Sequence, residues 1–437
     1  MEKSFRMELA GRPLIVETGK MAKQASGAVL VRYGETVVLV TSTASKEARE
    51  GMDFFPLTVD YEEKMYAVGK MPGGFLRREG RPGNSAILNA RLIDRPIRPL
   101  FDKRCRNDIH VMATVLSVDY DNAPELCGML GASASLGISD IPWDGPIAGV
   151  RVGRVDGKFV INPTQEQLKV STLSITVAGS ETAILMVEGG AQEAPEEDVL
   201  DAIMFGHETI KELVAFQKKI IEEVGKPKRT LIFPEIPEEI KTAIYAYAER
   251  PLKEAIFNPD KLTREAHMEE VRKEAEAHFK EIYPENGSDI AECLNHLTKE
   301  IVRHMISVDK IRPDGRALDE IRPISCEVGL LPRVHGSALF TRGQTQALTI
   351  TTLAPMSETQ IIDDLTQETE KRYIHQYNFP SYSVGETKSS RGPGRREIGH
   401  GALAERALIP VIPTVEEFPY ACLLYTSDAA DEARSVD

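Results

Sequence analysis

The sequence predicts a mixed α/β (α+β) chain in which one domain is written twice, with an all-α segment between the copies. Three observations carry this. First, blocks recur in the same order. Gly27-Ala28-Val29-Leu30 through Gly34-Glu35-Thr36 match Gly336-Ser337-Ala338-Leu339 through Gly343-Gln344-Thr345 at an offset of 309. Arg77-Arg78-Glu79 match Arg395-Arg396-Glu397 at 318, and Leu92-Ile93-Asp94-Arg95 with Pro99 match Leu403-Ala404-Glu405-Arg406 with Pro410 at 311. A repeat this long is a duplicated domain, since solenoid units are far shorter. Second, β-branched runs and helical spacings alternate within each copy. Third, residues 238–307 turn to Ala, Glu and Lys with apolar positions at helical period, such as Ile240, Ile244 and Tyr247, or Ile290, Leu294, Leu297 and Ile301.

In chain order, Pro13–Glu17 is short and apolar, and Val29–Tyr33 and Val37–Thr43 flank Gly34-Glu35 as a hairpin. Asp53–Val59 reads as a strand, a Pro72-Gly73-Gly74 loop runs to Arg81, and Asn89–Ile97 fits a helix stopped before Pro99. Ile109–Val118 reads as a strand, and the small-residue stretch Pro124–Leu136 as a buried helix. Ile147–Val155, Ser171–Val177 and Ala183–Val187 follow as strands, and Glu196–Val224 as a long amphipathic helix with Glu193, Glu196, Glu197 and Asp198 at its anion-favouring start. His207 on that helix reads as packing or capping. After a linker at Gly225–Lys228 and Phe233–Pro237 come three or four helices, and then the second copy, with strands at Ala338–Thr341 and Gln346–Leu353. Asp363, Asp364, Glu368 and Glu370 read as a solvated acidic loop. The expected boundaries are 1–228, 235–308 and 309–420, with 421–437 outside the fold.

A chain of 437 residues suits about two to four domains. No apolar run approaches the ~20 residues of a membrane helix, and Met1–Pro13 lacks a signal-peptide core. Five scattered cysteines without CxxC spacing point to a reducing cytoplasm, and away from a zinc site or a disulfide framework. The net charge of −14 excludes a generic nucleic-acid-coating protein. Yet between Arg77 and Arg106 nine basic residues face three acidic ones, a local +6. Charge focused this way suits a polyanion drawn through one cleft.

Lys388–Pro410 concentrates the chemistry. Lys388, Arg391, Arg395 and Arg396 fall within nine residues, with His400 four further on. Gly392-Pro393-Gly394 set the arginine pair at a loop-to-helix junction. Helix-start amides, guanidinium forks and an imidazole make a site for phosphate oxygens.

The motifs FLRREGRP, ARLIDRPIRPLF, FGHE, RPDGR, HGSALFTRGQTQAL, YNFPSYSVGET and GRREIGHG together resemble the bacterial polynucleotide phosphorylases, from about residue 2 to Tyr420. The resemblance implies two RNase PH-like domains (the ribosomal protein S5 domain 2-like fold) joined by a helical domain and followed by KH and S1 RNA-binding domains. It implies a homotrimeric ring that degrades single-stranded RNA from the 3′ end with inorganic phosphate, releases nucleoside diphosphates, runs in reverse, and needs Mg²⁺ or Mn²⁺. Partners in RNA-degradation complexes would bind outside this chain. Residue by residue, Phe75, Leu76, Arg77 and Arg78 match the RNA-gripping channel constriction, with Leu76 where the family has a second aromatic. Arg81, Arg95 and Arg98 would line the strand's path, and Arg395, Arg396 and His400 would contact phosphate and RNA.

After Tyr420 the family's strand, Ser-rich phosphate loop and Asp-containing metal site are not found. Residues from about 421 are therefore expected to be foreign to the fold, as a cloning or sequencing read-through would be, and the metal aspartates have no assignment. A second copy cut at about half its length predicts low stability. Two other classes compete: an RNA-gripping scaffold without turnover, and a hydrolytic nuclease, which would need a carboxylate cluster for two metals.

Overall fold

The structure, a computed structural model, describes residues 2–48, 54–73, 75–231, 236–367, 370–387, 389 and 392–430. Gly74, Lys388, Arg391, Glu368, linker residues 232–235 and tail residues 431–437 lie outside the described residues.

The first sheet comprises β1 (Lys3–Leu9), β2 (Arg12–Thr18), β3 (Gly27–Tyr33), β4 (Thr36–Ala48), β5 (Leu57–Glu62) and, after helix α1 (Asn84–Ile97), β6 (Asn107–Ser117). Its order is β1-β2-β3-β4-β6-β5, antiparallel except for the β5–β6 pair. Alternation sends Val29, Val31, Val38 and Val40 to the buried face. There they meet α2 (Pro124–Ile138), whose residues are buried from Leu126 onward. Small residues allow this close approach. A Cβ on Gly131 would stand 2.4 Å from Val40 Cγ2, and Ser42 Oγ lies 2.6 Å from Ser135 Oγ.

A second sheet is formed by β7 (Ala148–Val155), β8 (Lys158–Ile161), β9 (Leu173–Gly179) and β10 (Ile184–Ala191), in the order β10-β9-β7-β8. The short α3 (Gln165–Val170) links β8 to β9, and α4 (Glu196–Val224) covers the sheet. The helical segment is α5 (Glu238–Ile256), α6 (Lys261–Ile282) and α7 (Gly287–His304) around its own core of Ile244, Leu252, Phe279 and Leu294. Asp260 caps α6 through Thr263 N at 2.8 Å. Among the described residues no helix is long and apolar enough to cross a membrane.

The second copy contributes β11 (Ile324–Val328), β12 (Gly336–Arg342), β13 (Thr345–Ala354), the small pair β14 (Gln360–Ile361) and β15 (Glu370–Lys371), then β16 (Tyr373–Asn378), α8 (Arg395–Leu408) and β17 (Ala421–Ala430). Its five-stranded order, β11-β12-β13-β17-β16, repeats β2-β3-β4-β6-β5, including the parallel last pair. The boundary expected at 421 is thus corrected. Ala421–Ala430 form the strand between β13 and β16, where β6 lies in the first copy. Leu423, Leu424, Tyr425 and Thr426 suit a strand paired on both sides.

The strands β1, β8, β11, β14, β15 and β16 add to those expected. The helix α1 begins at Asn84 rather than Asn89, because Gly83 at its start offers no side-chain cap to mark the turn. His207 is buried, its Nε2 3.0 Å from Ser180 O, which bears out a packing role.

Candidate phosphate and nucleic-acid site

The helix α8 starts where its residues dictate. Gly394 is extended, and Glu397 in the first turn accepts from Gly394 N at 2.6 Å and from Phe379 N at 3.0 Å. This fixes Arg395 and Arg396 in the first turn, at the positive end of the helix dipole. His400 follows on the same helix and packs on Tyr377, with ring centroids 4.2 Å apart. All three side chains are exposed, and Arg396 makes no ion pair or hydrogen bond to any described residue.

Arg395 is engaged elsewhere. Its Nη1 donates to Val59 O at 2.7 Å, and its Nη2 pairs with Asp60, both on β5 of the first copy. Asp60 also meets His110 Nε2 at 2.9 Å. Burial pushes the Asp60 carboxyl up, but hydrogen bonds from Arg395 and His110, helped by their charge, overcome it and hold it below its ordinary value.

The first-copy residues divide. Phe75, Arg77, Arg78 and Arg81 lie on the exposed loop before α1, with Phe75 fully exposed. Arg77 takes a left-handed backbone, φ +49°, and its guanidinium donates back to Pro72 O at 3.3 Å, which curls the loop. Arg95 and Arg98, half-exposed, are each paired with an acid of the first copy. Arg98 grips Asp94, one turn back on α1, and Leu57 O. Arg95 pairs with Glu188 on β10 at 3.0 Å, and the other oxygen of Glu188 accepts from Arg406 of α8 at 3.1 Å. Glu188 thus bridges Arg95 of its own copy to Arg406 of the other, while Arg98 is held within the first copy.

The repeat also needs one correction. Helices α1 and α8 align at 395 − 84 = 311 along their whole length, while the turns at Met65–Val68 and Ser381–Val384 align at 381 − 65 = 316. Five extra residues therefore fall before α1. The counterparts of Arg395, Arg396 and His400 are Asn84, Ser85 and Asn89, and Arg77-Arg78-Glu79 belong to the extra loop.

Between the copies lies a cleft of about 1190 Å³, lined among others by Asn84, Ser85, Thr176, Glu188, Asp364 and Arg406. The acidic loop expected to be solvated docks here. Leu365 enters the first copy's core, Asp364 O accepts from Lys70, and Asp363 lies against Gly73. At the cleft's side, burial pushes the Glu63 carboxyl up to about 7. Hydrogen bonds from Ser85 and Asn89 oppose the rise, and the charges of Asp364 and Glu125 add to it. Among the described residues no three His, Cys, Asp or Glu side chains come together as a metal site. The Mg²⁺ or Mn²⁺ implied by the resemblance has no ligand set there.

Sequence reading missed Asp60, His110, Glu188 and Tyr377. Each acts through a partner distant in the chain, 335 residues away for Asp60 and Arg395, and no local pattern marks such a pair.

The family model for the 3′ exoribonuclease family, domain 1, matches residues 10–142 and again 320–426, more than half of the chain. The chain belongs to the 3′ exoribonuclease family. Domain 2 of that family matches 145–209, the β7–β10 sheet and the start of α4. The polyribonucleotide nucleotidyltransferase RNA-binding domain matches 239–317, the helical segment. The duplicated RNase PH fold with a helical domain between the copies is thereby confirmed. Among the relatives, the polyribonucleotide nucleotidyltransferase of Heliobacterium modesticaldum is 60% identical over 420 residues, 96% of this chain and 59% of that protein. That of Syntrophomonas wolfei is 61% identical over 418 residues, with 96% and 60% covered. That of Geobacillus kaustophilus is 57% identical over 422 residues, with 96% and 58% covered. The chain therefore spans about three-fifths of the length of the curated relatives it matches.

Proposed function

We propose that the chain is the RNase PH-bearing part of a phosphorolytic 3′→5′ exoribonuclease acting on single-stranded RNA in the cytoplasm. The observation that carries this is the exposed first turn of α8, with Arg396 unpaired among the described residues and His400 on the same helix, inside a domain of the 3′ exoribonuclease family. A phosphate oxygen attacks the phosphorus of the terminal phosphodiester. A new P–O bond forms as the bond to the preceding nucleotide's 3′ oxygen breaks, and a nucleoside diphosphate leaves; the reverse polymerises. Two anions must meet, so fixed cations offset their repulsion and stabilise the equatorial oxygens. Arg396 and His400 do this, joined by Arg395. Phe75, Arg77, Arg78 and Arg81 grip the strand upstream by stacking and phosphate contacts. Residues 1–228, the helical 235–308 and the second copy from 309 act as three units, in a homotrimer as the resemblance implies. A divalent cation, supplied with ligands outside the described residues, would neutralise phosphate charge when bound.

The test is to incubate the protein with 3′-hydroxyl RNA and Mg²⁺, with and without phosphate, and to separate nucleoside diphosphates from monophosphates. Diphosphates only with phosphate are expected. Monophosphates would replace this reading with hydrolysis, and RNA binding without product would leave the grip alone.

A further inference from the structure

We propose that Asp60 of the first copy is a positioning residue for Arg395. It holds the guanidinium in a resting place from which an incoming phosphate or RNA phosphodiester must draw it. This rests on the reading that Arg395 serves the anion site at the start of α8.

Two acceptors on β5, Val59 O and the Asp60 carboxylate, take both terminal nitrogens of Arg395. The pair lies at the solvent edge, with the Arg395 side chain 46% exposed and that of Asp60 29%. Such a half-solvated pair contributes little and exchanges readily for a stronger anion. Inorganic phosphate carries more charge than a carboxylate, an RNA strand offers several singly charged phosphodiesters in a row, and both accept the same bidentate fork. Next to the pair stands Arg396, exposed and unpaired among described residues, so an anion reaching this helix end meets Arg396 first and Arg395 by exchange.

The duplication supports a dedicated contact. At the offset of 316 that aligns β5 with β16, the counterpart of Asp60 is Gln376, and the counterpart of Arg395 is Asn84. The acid therefore lies only in the first copy and the base only in the second. His110 keeps the Asp60 carboxylate oriented from the neighbouring strand and helps to hold it ionised.

The experiment uses the 437-residue protein with a labelled single-stranded oligoribonucleotide, read by fluorescence anisotropy, and inorganic phosphate as competitor. Arg395→Ala should weaken RNA binding. Asp60→Asn should tighten it, and lower the phosphate concentration needed to compete, by about threefold. Asp60→Glu should restore the parent behaviour, and the Asp60→Asn effect should vanish in an Arg395→Ala background. Asp60→Gln, which installs the residue of the equivalent strand position, repeats the test if Asp60→Asn folds poorly. Unchanged or weaker binding in Asp60→Asn or Asp60→Gln, with Arg395→Ala still weak, would overturn the inference and leave the proposed function standing. No effect of Arg395→Ala, with Arg396→Ala weak, would remove Arg395 from the site and the inference with it. No effect of either arginine would instead count against the anion site itself.

Discussion

Leu14 on β2 and Ile324 on β11 hold the same place in the two copies, yet Leu14 is 2% exposed and Ile324 55%. The strands around them pair alike, in the same order and with the same offset of 309 between hairpins. The layer above them differs. In the first copy α2 lies across β3 and β4, and the Trp143 indole donates to Ile97 O at 3.1 Å over the end of α1. In the second copy no described helix covers that face, and an apolar cavity of about 350 Å³ opens beside Leu408, the counterpart of Ile97. Strand pairing is thus written locally in hairpin and alternation, whereas a core needs a second layer. The two copies separate these contributions within one chain.

The sharpest way to break this comparison is a matched truncation. Ile97→Ala removes a fully buried side chain and should cost about 2–5 kcal/mol in urea unfolding. Leu408→Ala, at 37% exposure, should cost under about 1 kcal/mol. Equal losses would mean that the second copy is packed as tightly as the first.

Next in size is a pH effect confined to the first copy. Glu63 corresponds to Phe379 in the second copy, so only one copy carries this acid. Its folded pKa, about 7, lies above the ordinary 4.5. Between those values the folded chain keeps a proton that the unfolded chain has lost, so stability falls as pH rises through that window and stays low above it. Glu63→Gln should therefore raise stability at pH 8 by about 1–3 kcal/mol and change little near pH 4. Thermal melts at the two pH values check it.

Activity should follow the second copy alone. Arg396→Ala should lower phosphorolysis by about tenfold or more, while Ser85→Ala, at the equivalent place on α1, should stay within about twofold. Comparable losses would make the two helix starts joint participants. The smallest effect concerns the joint between copies. Arg95→Ala and Arg406→Ala should each cost under about 1 kcal/mol, with a coupling of about 0.5 kcal/mol that disappears in a Glu188→Gln background.

What the sequence made legible is local. The 3.6-residue period of Glu196–Val224 gave α4 to the residue, and the Gly-Glu and Gly-Gln turns gave both hairpins. The glycines before Arg395 gave the start of α8. The short alternation of Lys3–Leu9 is a signal of the same kind for β1. The identities of Arg77-Arg78-Glu79 and Arg395-Arg396-Glu397 misled, because three shared letters outweighed the five-residue insertion that separates them in space. The fates of Arg95, Arg98 and Arg395 were illegible for another reason. A guanidinium looks the same in sequence whether it awaits a phosphate or is already held by an aspartate, and only the fold decides.

Glu188 has a consequence of its own. One carboxylate answers to two arginines that descend from the same ancestral position, one in each copy. After duplication the halves were free to diverge at most sites, as Asn84 and Arg395 show. Here both copies carry arginine, and a change at Glu188 alters the surroundings of both at once. A single acid ties the drift of one half to that of the other, and positions bound in this way should change together or stay still.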